Sequence, residues 1–183
     1  MKLYLQGHDD RYALEQLQLA LFPGETMEAA DSPRFDGDGA VSALHRGGTW
    51  LTAAARITWH GRSARASCRL RADRETVPLR RRILQRSYYL AAIRLLPETP
   101  PWGALAGVRP TKLTTRCLLG GGTGAQADRL LRDVYFVLPG QLHDFLDGGV
   151  YVLRRVVGIR HKAVGNFLRA AKARYVQAPN RPA

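Results

Sequence analysis

Lysine is scarce: Lys2, Lys112, Lys162 and Lys172 are the only four in 183 residues, against 24 arginines. Alanine and glycine are abundant, so the skew reads as a GC-rich coding sequence, and arginine number alone is no argument for phosphate binding. Cysteine is scarcer still. Cys68 and Cys117 make neither a paired-cysteine metal pattern nor a disulfide framework, and read as small buried apolar residues. No apolar run approaches the ~20 residues that span a bilayer, and Met1–Gly7 lacks the apolar stretch of a signal peptide. The expectation is a soluble cytoplasmic protein with no membrane partner. The length excludes a full barrel enzyme, while a 45% hydrophobic content excludes disorder throughout. Acids are concentrated at the start. Residues 1–38 hold three cations and eight acids, so the overall +13 becomes −5 there and +18 afterwards. Any anionic partner would meet the later part.

What is present reads as an α+β fold: a small antiparallel sheet with two helices in the order β-α-β-β-β-α, followed by a helical connector. Leu3 and Leu5 alternate with polar residues over Lys2–Gln6, a short strand. Asp9 or Asp10 then caps a helix carrying Tyr12, Leu14, Leu17 and Leu21, ended by Phe22-Pro23-Gly24. Glu25–Gly39 reads as a solvated loop. Ala40–His45 and Thr49–Trp59 read as strands joined by a Gly47-Gly48 turn, and His60-Gly61 as a two-residue hairpin turn. The cleanest alternation follows: Ala64, Ala66, Cys68 and Leu70 to one side, Arg65, Ser67, Arg69 and Arg71 to the other. After Thr76-Val77-Pro78 a helix runs to about Leu96 with a stripe of Leu84, Tyr88, Ala91 and Leu95.

These elements make a first domain over residues 1–96. A connector over 97–138 carries two helices: Arg109-Pro110 to Leu119, and one opened by a Thr123/Gln126 capping box with Ala127, Leu130, Leu131 and Val134 on its apolar side. Residues 139–183 form a divergent basic tail, strand-like at Val150–Val157 and helical at His161–Val176.

Catalytic constellations are weak. His8, Asp9 and Asp10 read as a solvated helix cap, and His45, His60, His143 and His161 lack paired ligand spacing. Gly120–Gly124 lacks the order of a phosphate loop and reads as a helix stop. The rival readings are a protein-interaction module and a nucleic-acid interface. The latter would use Arg62, Arg65, Arg69 and Arg71, then Arg80–Arg82, then Arg154, Arg155, Arg160, Lys162, Arg169, Lys172 and Arg174, with Trp59, Tyr88 and Tyr89 stacking on bases. Without a recognised binding motif, nucleic acid is not the expected partner.

The most informative stretch is Pro100–Leu113, PPWGALAGVRPTKL. Gly103 and Gly107 permit backbone turns, Trp102 and Leu105 are apolar anchors, and Arg109, Thr111 and Lys112 gather at a helix start. Such a cluster suits a carboxylate or phosphate, or the carboxylates of a neighbouring domain. The stretch resembles the N-terminal region of oxygen-independent coproporphyrinogen III oxidase-like radical SAM proteins, the HemZ-type coproporphyrinogen dehydrogenases, whose motif has the form P-W-G-x-L-x-G-[IV]-R-P-T-K-L. The resemblance extends over residues 1 to about 138.

It implies a role in porphyrin and heme biosynthesis beside a radical SAM catalytic domain. That domain holds a [4Fe-4S] cluster and S-adenosylmethionine through a C-x-x-x-C-x-x-C loop. It also implies interdomain contacts through Trp102 and Leu105, and contact of Arg109, Thr111 and Lys112 with another domain or with porphyrinogen propionates. Neither the three-cysteine loop nor the barrel is in this chain, so no catalytic or metal residue is assigned. Either a frameshift near Pro139 truncates the chain or the barrel belongs to another chain; truncation is the expectation.

Overall fold

The structure, a computed structural model, describes residues 1–34, 36–105 and 110–138. The chain divides into two compact units, Met1–Gly107 and Val108–Ala183, so the division falls inside the Pro101–Leu113 motif.

The first unit runs β1 (Lys2–Gln6), α1 (Arg11–Leu21), β2 (Glu28–Ala29), β3 (Gly39–Gly47), β4 (Trp50–Trp59), β5 (Arg62–Arg71), a 3-10 turn (Ala72–Arg74) and α2 (Val77–Ala92). The class is α+β. The sheet order is β2-β1-β3-β4-β5, and the sheet is mixed where a purely antiparallel one was expected. Both neighbours of β1 run parallel to it. The cause is α1: a helical crossover carries the chain back to the end at which β1 began, so the next strand enters in the same direction. The expected loop over Glu25–Gly39 also contributes a two-residue edge strand, β2. The Glu28 N–H donates to the Met1 carbonyl at 3.0 Å and the Ala30 N–H to that of Leu3 at 2.9 Å.

From β3 onward the sheet is antiparallel and built by tight hairpins. Gly47 pairs with Trp50, which makes Gly48-Thr49 the turn, one residue later than the sequence suggested. Trp59 pairs with Arg62 around His60-Gly61, whose φ angles of +48° and +71° have the sense that matches strand twist. Gly7, between β1 and α1, has φ +72°, and a Cβ there would lie 2.3 Å from the Leu44 carbonyl oxygen. Only glycine fits.

One face of the sheet is covered. Leu3, Ala40, Ile57 and Ala64 lie in register across it, as do Ala53 with Cys68 and Leu51 with Leu70. Helix α2 packs on β4 and β5, and α1 packs on α2. The sheet offers small residues there, and the helix supplies bulk through Ile83, Leu84 and Tyr88. Each leucine so buried contributes roughly 1.5–3 kcal/mol. The expected stripe of Leu84, Tyr88, Ala91 and Leu95 is buried throughout, as are Leu14, Leu17 and Leu21 of α1. Tyr12 is not part of that stripe: it is 73% exposed, two residues and therefore about half a turn away from Leu14.

Helix α2 is capped as its sequence predicts, the Thr76 hydroxyl accepting the Leu79 N–H at 3.3 Å with Pro78 in the first turn. Helix α1 differs. Its preceding Asp10 makes no side-chain cap and is not solvated. Its carboxylate is 2% exposed and accepts from Arg81 Nε at 2.6 Å and Arg80 Nε at 3.3 Å. A carboxylate taken out of water is stable only with such partners, and the first five residues of α2 supply both.

In the second unit, α3 (Pro110–Leu119) and α4 (Gly124–Arg129) are followed by a π-helical turn, Leu130–Val134. The capping box is complete, the Thr123 hydroxyl accepting the Gln126 N–H and the Gln126 side chain accepting the Thr123 N–H. Ala127 and Leu131 are buried, while Leu130 and Val134 are half-buried. The strand and helix expected beyond Pro139 lie outside the described residues. Among the described residues no helix is long and apolar enough to cross a membrane.

Candidate functional site

The Pro101–Leu113 motif opens with a turn. The Gly103 N–H donates to the Pro100 carbonyl at 3.0 Å and the Leu105 N–H to that of Trp102 at 3.2 Å, with Gly103 at φ +59°. This is the bend expected at that glycine. Of the two apolar anchors, Leu105 is buried and Trp102 is 47% exposed. Gly107 and Arg109 lie outside the described residues. In the second unit α3 starts at Pro110 as expected. Thr111 is half-buried, its carbonyl accepting the Thr114 hydroxyl at 2.9 Å, and Lys112 is exposed in the first turn.

The thiols do not suit an iron–sulfur cluster. Cys68 is half-buried on the covered face of the sheet, packed beside Leu51, Ala53, Ile83 and Leu84. Burial pushes its thiol up, partly opposed by the Arg86 charge, which disfavours the thiolate that iron needs. Cys117 is half-buried on α3, in the other unit.

The arginines sort by strand parity. Arg62 does not share a face with Arg65, Arg69 and Arg71: it reaches the carbonyls of Leu95 at 3.5 Å and Arg94 at 3.4 Å. The other three point to the face turned away from α2, where Arg56 joins them directly opposite Arg65 in the ladder. On that face Val41, Ala43, Thr52 and Ala54 are half-buried, and Arg56, Arg65, Ser67 and Arg69 are exposed. The expected base-stacking set is corrected. Tyr88 and Tyr89 are core residues at 0% and 1% exposure. The Tyr88 hydroxyl donates to Gln18 Oε1. Trp59 is held edge-on between Phe22 and His60. Arg80 and Arg81 are occupied by Asp10.

Two further groupings come from loops. Glu25, Asp38 and His60 bring their ligand atoms within 4.8 Å of one another. Each carboxylate already has work in the fold: Glu25 meets the N-terminal ammonium at 3.5 Å and the Trp59 indole at 3.4 Å, and Asp38 accepts the His60 N–H at 2.8 Å. The trio braces the β4–β5 turn against the segments flanking β2. Sequence spacing carries no trace of it, because its members lie on three separate loops.

His8, expected in a solvated cap, is half-buried. Its Nε2 lies 3.0 Å from the Ser42 hydroxyl and 3.2 Å from the Ser42 carbonyl, while Nδ1 accepts the Asp10 N–H at 3.3 Å. That last bond requires an unprotonated Nδ1, and burial lowers the pKa of the ring.

Compared with protein-family models, with curated proteins and with solved structures, the chain matches none.

Proposed function

We propose that the chain is the non-catalytic N-terminal region of a coproporphyrinogen III oxidase-like radical SAM system, a cytoplasmic module of porphyrin and heme synthesis that docks on the catalytic barrel. The observation that carries this reading is the Pro101–Leu113 run, which matches that family's motif at eleven positions. The [4Fe-4S] cluster and S-adenosylmethionine chemistry belong to the barrel, because this chain's two thiols do not fit a three-cysteine loop.

The role left to this chain is recognition. Trp102, half-exposed on a glycine-fixed turn, offers a large amphipathic surface of the kind that anchors interfaces. Leu105 is buried and closes the turn through its N–H bond to the Trp102 carbonyl. Arg109, Thr111 and Lys112 are assigned to an anionic contact, either a barrel carboxylate or a porphyrinogen propionate, which guanidinium and ammonium groups at a helix start would favour.

The test is a titration of the chain with a separately purified coproporphyrinogen dehydrogenase barrel lacking its own N-terminal region, followed by tryptophan fluorescence. Saturable binding weakened roughly tenfold or more by Trp102→Ala is expected, the effect of truncating an interface anchor. Absence of saturable binding would contradict the reading.

A further inference from the structure

We propose that the β4–β5 edge of the sheet is a binding site for closely spaced phosphate groups, such as those of a nucleoside polyphosphate or of successive links in a single-stranded nucleic acid. Four arginines from three segments converge there. Arg56 of β4, Arg62 and Arg65 of β5, and Arg94 beyond α2 line a groove of about 510 Å³ floored by Ala64 and Leu95. A second groove of the same volume shares Arg56, Arg65 and Arg94 and extends over Ala54 and Ser67, on the face turned away from α2.

Among the described residues the four side chains are positioned without being neutralised. Arg94 donates to the Arg65 carbonyl, Arg62 to the carbonyls of Leu95 and Arg94, and Arg56 to that of Pro33. Every one of these acceptors is a neutral backbone oxygen. Among the described residues no carboxylate pairs with any of the four. Each guanidinium carries five N–H donors, so most remain available. Arg56 and Arg65 also stand directly opposite each other in the ladder, an arrangement that is unfavourable unless an anion lies between the two charges.

Guanidinium forks match phosphate oxygens in pairs, and several forks around one groove suit a ligand with more than one negative charge. A single carboxylate would leave most of the charge uncompensated. The basic track continues along the same face of β5: at ~3.3 Å per residue, Arg69 lies ~13 Å beyond Arg65. At its end Trp50, 44% exposed, stands opposite Arg71. Arg71 itself is paired with Asp73 at 3.2 Å, and a basic groove joined to an aromatic platform is the chemistry sequence-tolerant single-strand binders use. The inference is independent of the barrel reading, since it uses none of the Pro101–Leu113 residues.

The test titrates the full chain with inorganic pyrophosphate and with an oligothymidylate of about 12 nucleotides, by calorimetry between about 50 and 200 mM salt. The proteins compared are wild type, Arg56→Ala/Arg65→Ala, the milder Arg56→Gln/Arg65→Gln, and Arg69→Ala. These side chains are exposed, and unchanged circular dichroism checks the fold. Both double variants are expected to weaken pyrophosphate binding about tenfold or more. Tighter binding of the oligonucleotide, with a steep salt slope and a further loss in Arg69→Ala, identifies a nucleic-acid strand as the source of the phosphates. Pyrophosphate binding that Arg69→Ala leaves unchanged, with no gain for the oligonucleotide, identifies a nucleotide. Absence of binding to both probes, or double variants that bind as tightly as wild type, overturns the proposal.

Discussion

The two faces of the sheet are made from the same strands and do opposite work. On the covered face, Ala53, Ala55 and Ile57 of β4 are buried, and Ala64, Ala66, Cys68 and Leu70 of β5 continue that surface to the edge. On the other face the intervening residues include Arg56, Arg65, Arg69 and Arg71, all exposed. Period-two alternation lets a single ten-residue strand such as β5 present a packing surface and a charged surface at once. The cost of a change therefore depends on parity more than on position along the strand.

The largest expected effect is on the covered side. Leu84→Ala removes a fully buried side chain at the helix–sheet contact and should lower unfolding stability by about 2–5 kcal/mol in chemical denaturation. Ser67→Ala, exposed on the opposite face, should stay within about 0.5 kcal/mol of wild type. Equal costs for the two would erase the distinction between the faces.

A smaller effect sharpens it. The His8 ring is held neutral between Ser42 and the Asp10 N–H, with a pKa lowered by burial. Between that lowered value and the ordinary 6.5, the unfolded chain binds more protons than the folded one. The stabilisation from His8 is thus complete above 6.5 and declines as pH falls below it. Thermal melts from about pH 7.5 to about pH 5.5 should show the advantage of wild type over His8→Gln shrinking with acidification. An advantage that grows on acidification would show that the ring is charged in the fold.

Much of this was legible in the sequence, and for identifiable reasons. The alternation in Arg62–Arg71, the Thr76-Val77-Pro78 helix start and the Thr123/Gln126 capping box are local signals, and the structure contains all three. The two-residue turn at His60-Gly61 fixes which residues pair around it, so the Arg56–Arg65 opposition was also encoded locally. Grouping Arg62 with Arg65 ignored the parity that separates them. Other features depend on partners far away in the chain. Nothing near Asp10 announces Arg80 and Arg81, and two residues are too few for β2 to show a period. The parallel pairing of β1 follows from where α1 returns the chain, and the Tyr88 hydroxyl meets Gln18 only because α1 packs on α2. Within the motif, the Gly103 bend and the Pro110 helix start are local and were legible.

The central claim is the proposal that this chain recognises a partner while the radical chemistry belongs to a separate barrel, and anaerobic incubation with iron and sulfide tests it most directly. Visible absorption and S-adenosylmethionine cleavage are then measured on the repurified protein. With one thiol in the sheet and one on α3, the account predicts no chain-bound cluster absorbance and no cleavage product. A stable chain-bound cluster that cleaves S-adenosylmethionine would contradict it.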